Sequence, residues 1–416
     1  VRFIYTLILY ALVPWILLRL VWRTVREPGY LDFLGERFGS YRRIASAPLI
    51  WVHAVSVGET RAAQPLVEAL LQQYPDHYLL ITHMTPTGRE AGREIYGGSV
   101  ERCYLPYDLP GAVKEFLDHW SPQLGILMET EIWPNLIHGC NARGIPIYLV
   151  NGRMSTKSLA GYRRLSGLTR SSLRGLAAVA AQSAQDAERF IRLGAREVSV
   201  TGSLKFDVTV AQDQVELGLR WRRLYGAGRP VLLAASTRED EEELIVDQLK
   251  SIAVPDLLTV IVPRHRRRFD SVAALVEGRG FKVQRRSEDA AIAPATQVVI
   301  GDSMGEMFAY YAACDVAFIG GSLLPFGAHN LIEACAAGKP VLIGPSVYNF
   351  ASAVREAEQV GAAIKVRNAK ELAREAARLL LDREAAQRMG ATGLEFCAGH
   401  RGATRKVMEL IKLKNG

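Results

Sequence analysis

From about residue 49 the chain alternates short apolar, β-branched runs with amphipathic helical stretches, and this restricts it to doubly wound α/β architecture on parallel sheets. Strands are expected over 49–54, 78–82, 124–128, 146–150 and 176–182, and again over 230–236, 257–263, 296–301, 316–321 and 339–344. A polar, strand-free stretch at about 206–228 separates the two sets and reads as a linker plus a leading helix. The expected fold is therefore two Rossmann-like domains facing a cleft. In such sheets ligands meet the residues just after each strand's carboxyl end.

The first 47 residues depart from this pattern. Phe3 to Leu18 carries no charge, and its one polar side chain is Thr6. Leu20, Val21 and Trp22 extend the run if Arg19 snorkels. The length is that of a borderline membrane span. A secretory signal is disfavoured, because three Arg and no small-x-small cleavage site follow. A core helix would be expected to show a polar face. The segment is expected to anchor the chain to a membrane, and Arg19, Arg23 and Arg26 on its carboxyl side place the remaining residues in the cytoplasm.

Lys and Arg exceed Asp and Glu by 51 to 43, a net charge of +8, and half of that excess lies in residues 1–47. The balance points to an anionic partner: nucleic acid, anionic lipid or a phosphorylated small molecule. Aromatic–basic interleaving and nucleic-acid modules are absent, so no nucleic-acid partner is expected. Cys103, Cys140, Cys314, Cys335 and Cys397 show no CxxC spacing and an odd total, which suggests neither zinc nor a disulfide framework and fits a reducing compartment. No G-x-G-x-x-G follows a strand and no Walker loop is present. No Asp-x-Asp occurs either, so no metal is expected.

The first strand runs into SVGE (56–59), delivering Glu59 at the start of a helix. Glu59 is either a dipole-favoured helical acid or a general base, and a nearby carboxylate would offset the pKa-lowering effect of the helix end. The strand 124–128 supplies one through METEIWP; with alternation continuing, Glu129 and Glu131 share a face. In THMTPTGRE (82–90), hydroxyls and Arg89 suit a phosphorylated acceptor, and Thr85 or Thr87 equally suits helix capping. In the second half, Arg264 and His265 follow a strand where an anion would be met, with Arg266 to Arg268 read as solvated surface. The GGS at 320–322 leads to a helix starting near Asn330, an anion-binding arrangement, with Glu333 one turn along it.

Taken together, SVGE (56–59), MTPTG (84–88), YLPYD (104–108), METEIWPN (128–135), GSLKFD (202–207), VPRH (262–265), GDSMGEM (301–307), GGS (320–322) and HNLIEA (329–334) resemble the bacterial 3-deoxy-D-manno-oct-2-ulosonic acid (Kdo) transferases of lipopolysaccharide synthesis. The resemblance runs along essentially the whole chain. It implies a GT-B fold, CMP-Kdo as donor, lipid A precursor (lipid IVA) as acceptor, and residence at the inner membrane. The implied division is 1–47 anchor and basic segment, 48–205 acceptor domain, 206–228 linker, 229–395 CMP-sugar domain, and 396–416 a helix crossing back. Carried over, the catalytic base falls on Glu59 and a second essential carboxylate on Glu129. Nucleotide contacts fall on Ser236, Thr237, Arg264, His265, Met304, Gly305, Glu306, Gly321, Ser322, Asn330 and Glu333. Two positions depart from the pattern: Ala328 replaces a Gly of G-G-H-N, and Arg238 replaces the His of Ser-Thr-His. The alternative reading is another GT-B-like nucleotide-sugar enzyme, a UDP-sugar transferase or epimerase.

Overall fold

The computed structural model describes residues 1–26, 29–42, 48–226 and 228–412. Of the expected basic segment, Glu27 and Arg43 lie outside the described residues, as does the side chain of Arg26; so do Ala227 of the expected linker and residues 413–416 of the expected final helix. The chain forms two compact units, one of Val1–Asp207 with His400–Gly416 and one of Val208–Gly399.

The first unit carries a seven-stranded parallel sheet: β1 (Leu49–His53), β2 (Tyr78–His83), β3 (Glu101–Tyr104), β4 (Leu124–Met128), β5 (Ile147–Gly152), β6 (Ala178–Ala181) and β7 (Val198–Val200), in the order β3-β2-β1-β4-β5-β6-β7. Successive residues of β1 point to opposite faces, so Leu49 and Trp51 join one buried cluster while Ile50 and Val52 join the other. Burial on both faces is why these strands read as continuous apolar runs. The second face is closed by Ala403, Val407 and Ile411.

The second unit repeats the plan with β8 (Val231–Thr237), β9 (Leu258–Pro263), β10 (Val283–Arg285), β11 (Val298–Ile300), β12 (Val316–Ile319), β13 (Val341–Ile343) and β14 (Ala363–Lys365), ordered β10-β11-β9-β8-β12-β13-β14. The stretch expected as a linker holds the helix Gln212–Tyr225, which packs on the helix Met307–Ala313: a Cβ at Gly218 would meet the Ala309 carbonyl oxygen at 2.4 Å.

Two expectations need correction. Each sheet has seven strands rather than five, the additions being β3, β7, β10 and β14 at the edges. The final segment is two helices, Arg383–His400 and Ala403–Leu410, broken at Gly402, whose φ is +99°. Asp207 fixes that break by accepting the backbone N–H groups of Gly402 (2.6 Å) and Thr404.

Candidate active site

In each sheet the connection reverses direction once, and the crevice at that reversal is the natural ligand site. In the first unit it lies between β1 and β4. Glu59 follows β1 and Glu129 follows β4, so the fold brings together the two carboxylates singled out from the sequence.

Glu59 sits in the first turn of the helix Val57–Ala62 and is half-buried. Its carboxylate folds back to accept the Val55 backbone N–H at 2.7 Å, with the Ser56 hydroxyl at 3.4 Å. Burial, and then the field of Glu129, push its pKa up to about 8, against the opposing pull of the Val55 N–H.

The expected alternation does not continue past Met128. Glu129 takes a left-handed conformation, φ +57°, and turns the chain. Its backbone N–H still donates to Val150 O at 2.9 Å, closing the sheet register, while the side chain meets Lys205 Nζ at 3.3 Å. Glu131 is drawn aside to accept Trp133 Nε1–H at 2.7 Å, and burial raises its pKa. Glu129 is therefore the carboxylate with the stronger field at Glu59, and Glu131 the weaker.

Lys205 was not singled out from the sequence. It arrives on the 3-10 turn Leu204–Asp207, and Asn151 Oδ1 accepts the Leu204 N–H at 3.2 Å. Its signal was its place in GSLKFD (202–207), between Leu204 and Phe206, both of which are buried. At the end of β1, His53 is fully buried, with Nδ1 2.8 Å from Thr82 Oγ1, and burial lowers its pKa to about 3, so it stays neutral.

Arg89 is committed elsewhere. It pairs with both carboxylate oxygens of Glu36 and stacks 3.9 Å over the Phe33 ring, so it serves internal packing rather than standing open to an anionic acceptor. Thr85 is the helix cap and accepts the Gly88 N–H at 3.0 Å.

In the second unit the reversal lies between β8 and β12. Around it the strand ends gather Ser236 and Thr237, the last residues of β8, Arg264 and His265 after β9, Met304 to Glu306 after β11, and Gly321 and Ser322 after β12. The burial of these residues divides them. Ser236, Arg264, His265, Met304, Glu306, Asn330 and Glu333 are half-buried; Gly305 is exposed; Thr237, Gly321 and Ser322 are buried. Thr237 Oγ1 donates to Glu242 at 3.0 Å, and the Ser322 hydroxyl donates to Ile319 O and accepts the Gly344 N–H at 2.7 Å.

The amides of the GGS loop already have an acceptor. Glu241, wholly buried, takes the N–H groups of Gly321 (2.6 Å), Ser322 (2.9 Å), Leu323 (2.8 Å) and Arg238 (3.1 Å). A carboxylate thus fixes the loop, and Glu241 joins the residues the sequence did not reveal. Gly320 is required beside it, since a Cβ there would stand 2.6 Å from Ser236 O. Asn330 caps the helix Leu331–Ala336 by accepting the Ile332 N–H at 3.1 Å, and its amide donates to Glu333 at 3.1 Å. Glu306 is paired with Arg286 at 2.7 Å. His265 is pushed toward its neutral form, by burial first and then by Arg238 and Arg264. Arg238 itself lies 4.4 Å over the Phe326 ring and pairs with Glu239.

Among the described residues no group of three or more His, Cys, Asp or Glu is placed to hold a metal ion.

Residues 33–208 match the family described as 3-Deoxy-D-manno-octulosonic-acid transferase (kdotransferase), and residues 243–396 match glycosyl transferases group 1. The chain is 42% identical over 427 residues to the 3-deoxy-D-manno-octulosonic acid transferase of Bordetella pertussis, covering 99% of each chain. It is 36% identical to the enzyme of the same name from Haemophilus influenzae, covering 99% of this chain and 98% of that one. Among solved structures, UDP-GlcNAc 2-epimerase from Neisseria meningitidis superposes with a TM-score of 0.60 at 15% identity, covering 88% of this chain and 100% of that one. That likeness shows the fold alone, two parallel α/β units of the GT-B class. With these relatives along its whole length, the chain is a glycosyltransferase that belongs to the 3-deoxy-D-manno-octulosonic acid transferase family.

Proposed function

We propose that the chain transfers Kdo from CMP-Kdo to a hydroxyl of lipid A precursor (lipid IVA), with inversion, at the cytoplasmic face of the inner membrane. The observation that carries this reading is Glu59, held at the reversal point of the first sheet with its pKa pushed up to about 8. A general base is most effective with a pKa near the working pH, and an ordinary carboxylate is too weak to take an alcohol proton. Burial and Glu129 supply the correction, and the Val55 N–H fixes the carboxylate's direction.

In the proposed step Glu59 removes the acceptor hydroxyl's proton as its oxygen bonds to the anomeric carbon. The bond from that carbon to the CMP phosphate breaks on the opposite face, which inverts the centre. Glu129, paired with Lys205, sustains the charge around Glu59. Arg264, Ser236 and the Asn330 turn are the groups we assign to the nucleotide and its single phosphate, with Glu241 holding the adjoining loop. Because the leaving group carries one phosphate, side chains can balance its charge and no metal is invoked. The outward apolar face of the helix Arg2–Arg26 supports membrane attachment, which the lipid nature of the acceptor would require.

The test is a transfer assay with CMP-Kdo generated in situ and lipid A precursor, run with and without chelator. Transfer unaffected by chelator is expected, and cytidine rather than uridine nucleotides should raise the melting temperature. No transfer by the wild-type chain would sink the assignment, and chelator sensitivity would sink its metal-free form.

A further inference from the structure

The helix Arg2–Arg26 is long and apolar enough to cross a membrane, yet it is tied to the first unit near both of its ends. Its least exposed residues, Tyr5 and Thr6, Leu9, Val13, Ile16, Leu20, and Arg23 and Thr24, recur every three or four positions over its full length. This is one narrow seam. At its amino end the Tyr5 hydroxyl donates to Asp108 Oδ2 at 2.9 Å, and Thr6 Oγ1 lies 3.0 Å from Asn135 Nδ2. Toward its carboxyl end Leu20 is 5% exposed, and Arg23 meets the Tyr30 hydroxyl at 3.3 Å.

The remaining circumference is apolar and open: Phe3 is 79% exposed, Leu7 61%, Leu18 70% and Val25 83%, with Trp15 and Trp22 on the same outward side. We propose that this helix does not span the bilayer but lies flat in one leaflet, seamed to the first unit, with its outward face in the acyl boundary. The inference takes the membrane association of the proposed function as given and concerns only its geometry.

The argument is one of depth. From Thr6 to Arg23 the helix advances about 26 Å, close to the thickness of the hydrocarbon core. Upright, with Arg19 and Arg23 at one interface, Tyr5 and Thr6 would sit near the other, and Asp108 and Asn135 would be drawn in with them. Those two residues belong to the body. Asp108 caps the helix Pro134–Ala142 by accepting the N–H groups of Asn135 (2.9 Å) and Leu136 (2.7 Å). An acidic cap and its helix end cannot be carried into or across hydrocarbon without large cost.

Lying flat, the helix satisfies every contact at once. Its outward Trp and Tyr side chains suit the headgroup level, and exposed Arg2 and Arg19 suit anionic lipid. The amino end then rests on Asp108, which follows β3, and on Asn135, in the first turn of the helix that follows β4. A lipid-borne acceptor would be presented at the rim of the first unit where the two carboxylates stand.

The experiment is single-cysteine labelling of the full chain in membrane vesicles of both orientations with an impermeant maleimide. The five native cysteines are buried and give little background. Arg2→Cys and, on the body, Glu115→Cys should label from the same face. Labelling of Arg2→Cys from the opposite face, or only after detergent, would overturn the proposal. In parallel, Leu7→Glu/Leu18→Glu should lower co-sedimentation with phosphatidylglycerol vesicles at least tenfold, with melting unchanged. Unchanged co-sedimentation would remove the outward face from lipid contact. A wild-type chain that fails to sediment with the vesicles, or to label in membranes at all, would sink membrane association itself while leaving the transfer assay standing.

Discussion

Lys205 Nζ stands 3.3 Å from Glu129 Oε1, and that pair sits beside the carboxylate whose pKa is most displaced, Glu59. Glu129 raises the pKa of Glu59, and the Lys205 ammonium paired with Glu129 is an opposite charge that by Coulomb's law should temper that field. Lys205→Met should therefore raise the apparent pKa of the base by roughly half a unit to one unit. At pH 7 kcat/KM would fall roughly three- to tenfold and recover near pH 9. Lys205→Arg keeps the charge and should restore most of the loss. An unchanged acid limb in Lys205→Met would show that the pair is structural only.

The pH dependence of Glu59 has two readouts with opposite senses. As a base it works deprotonated, so kcat/KM should climb with pH toward a plateau above about 8. For stability, the folded chain holds a proton on Glu59 that the unfolded chain, with its ordinary value of 4.5, has already released. Stability from this group is thus fully present below pH 4.5 and is lost as pH rises through about 8. Glu59→Gln should abolish the activity limb, lowering kcat by about 10² to 10⁴. It should also flatten the fall in melting temperature over the same range. Near-wild-type turnover in the variant would remove Glu59 from the base role.

What the sequence disclosed and what it hid have the same physical origin. Central strands such as Leu49–His53 and Leu124–Met128 are buried on both faces and show as unbroken apolar runs. The four strands that escaped notice, β3, β7, β10 and β14, are the sheet edges, three or four residues long and carrying Glu101, Arg102, Arg285 and Lys365. Edges are short and charged because they must not pair further, which erases the period-two signal. Glu59 and Glu129 were legible because they follow central strands. Glu241 was hidden in the acidic run Glu239 to Glu243, which resembles a solvated face until the fold turns one of its members onto the Gly321 loop. The seam of the first helix was equally hidden, since Leu9, Val13 and Ile16 differ little in chemistry from the outward Leu7, Leu12 and Leu17.

Glu241→Ala should be among the most damaging single changes in the second unit. It strands the amides of Gly321, Ser322 and Leu323 without an acceptor in a buried loop. Allowing for relief of the buried charge, the net loss should be about 3 kcal/mol. For a unit of this size that lowers the melting temperature by roughly 6–12 °C. Glu241→Gln, which keeps one acceptor oxygen, should fall between. Cytidine monophosphate should stabilise both variants less than wild type, because the loop beside the assigned nucleotide residues would no longer be fixed. A melting temperature within a degree of wild type for Glu241→Ala would contradict the clamp.

Ala328 offers a test in the stabilising direction. Its φ is +66°, in the left-handed region that an L side chain enters at a cost of about 1–2 kcal/mol. The conformation is imposed from both sides: the Ala328 N–H donates to Gly321 O at 2.7 Å and the His329 N–H to Gly320 O at 3.1 Å, tying the loop to the end of β12. Glycine would remove the Cβ penalty but adds about 0.5–1 kcal/mol of chain entropy to be lost on folding. The balance favours Ala328→Gly by about 0.5 kcal/mol, a rise of roughly 1–2 °C in melting temperature. The Ala328 methyl is buried, so whatever packing it contributes subtracts from that gain. A fall in melting temperature would mean that methyl packing outweighs backbone strain here, and that this loop tolerates Ala because its neighbours hold it.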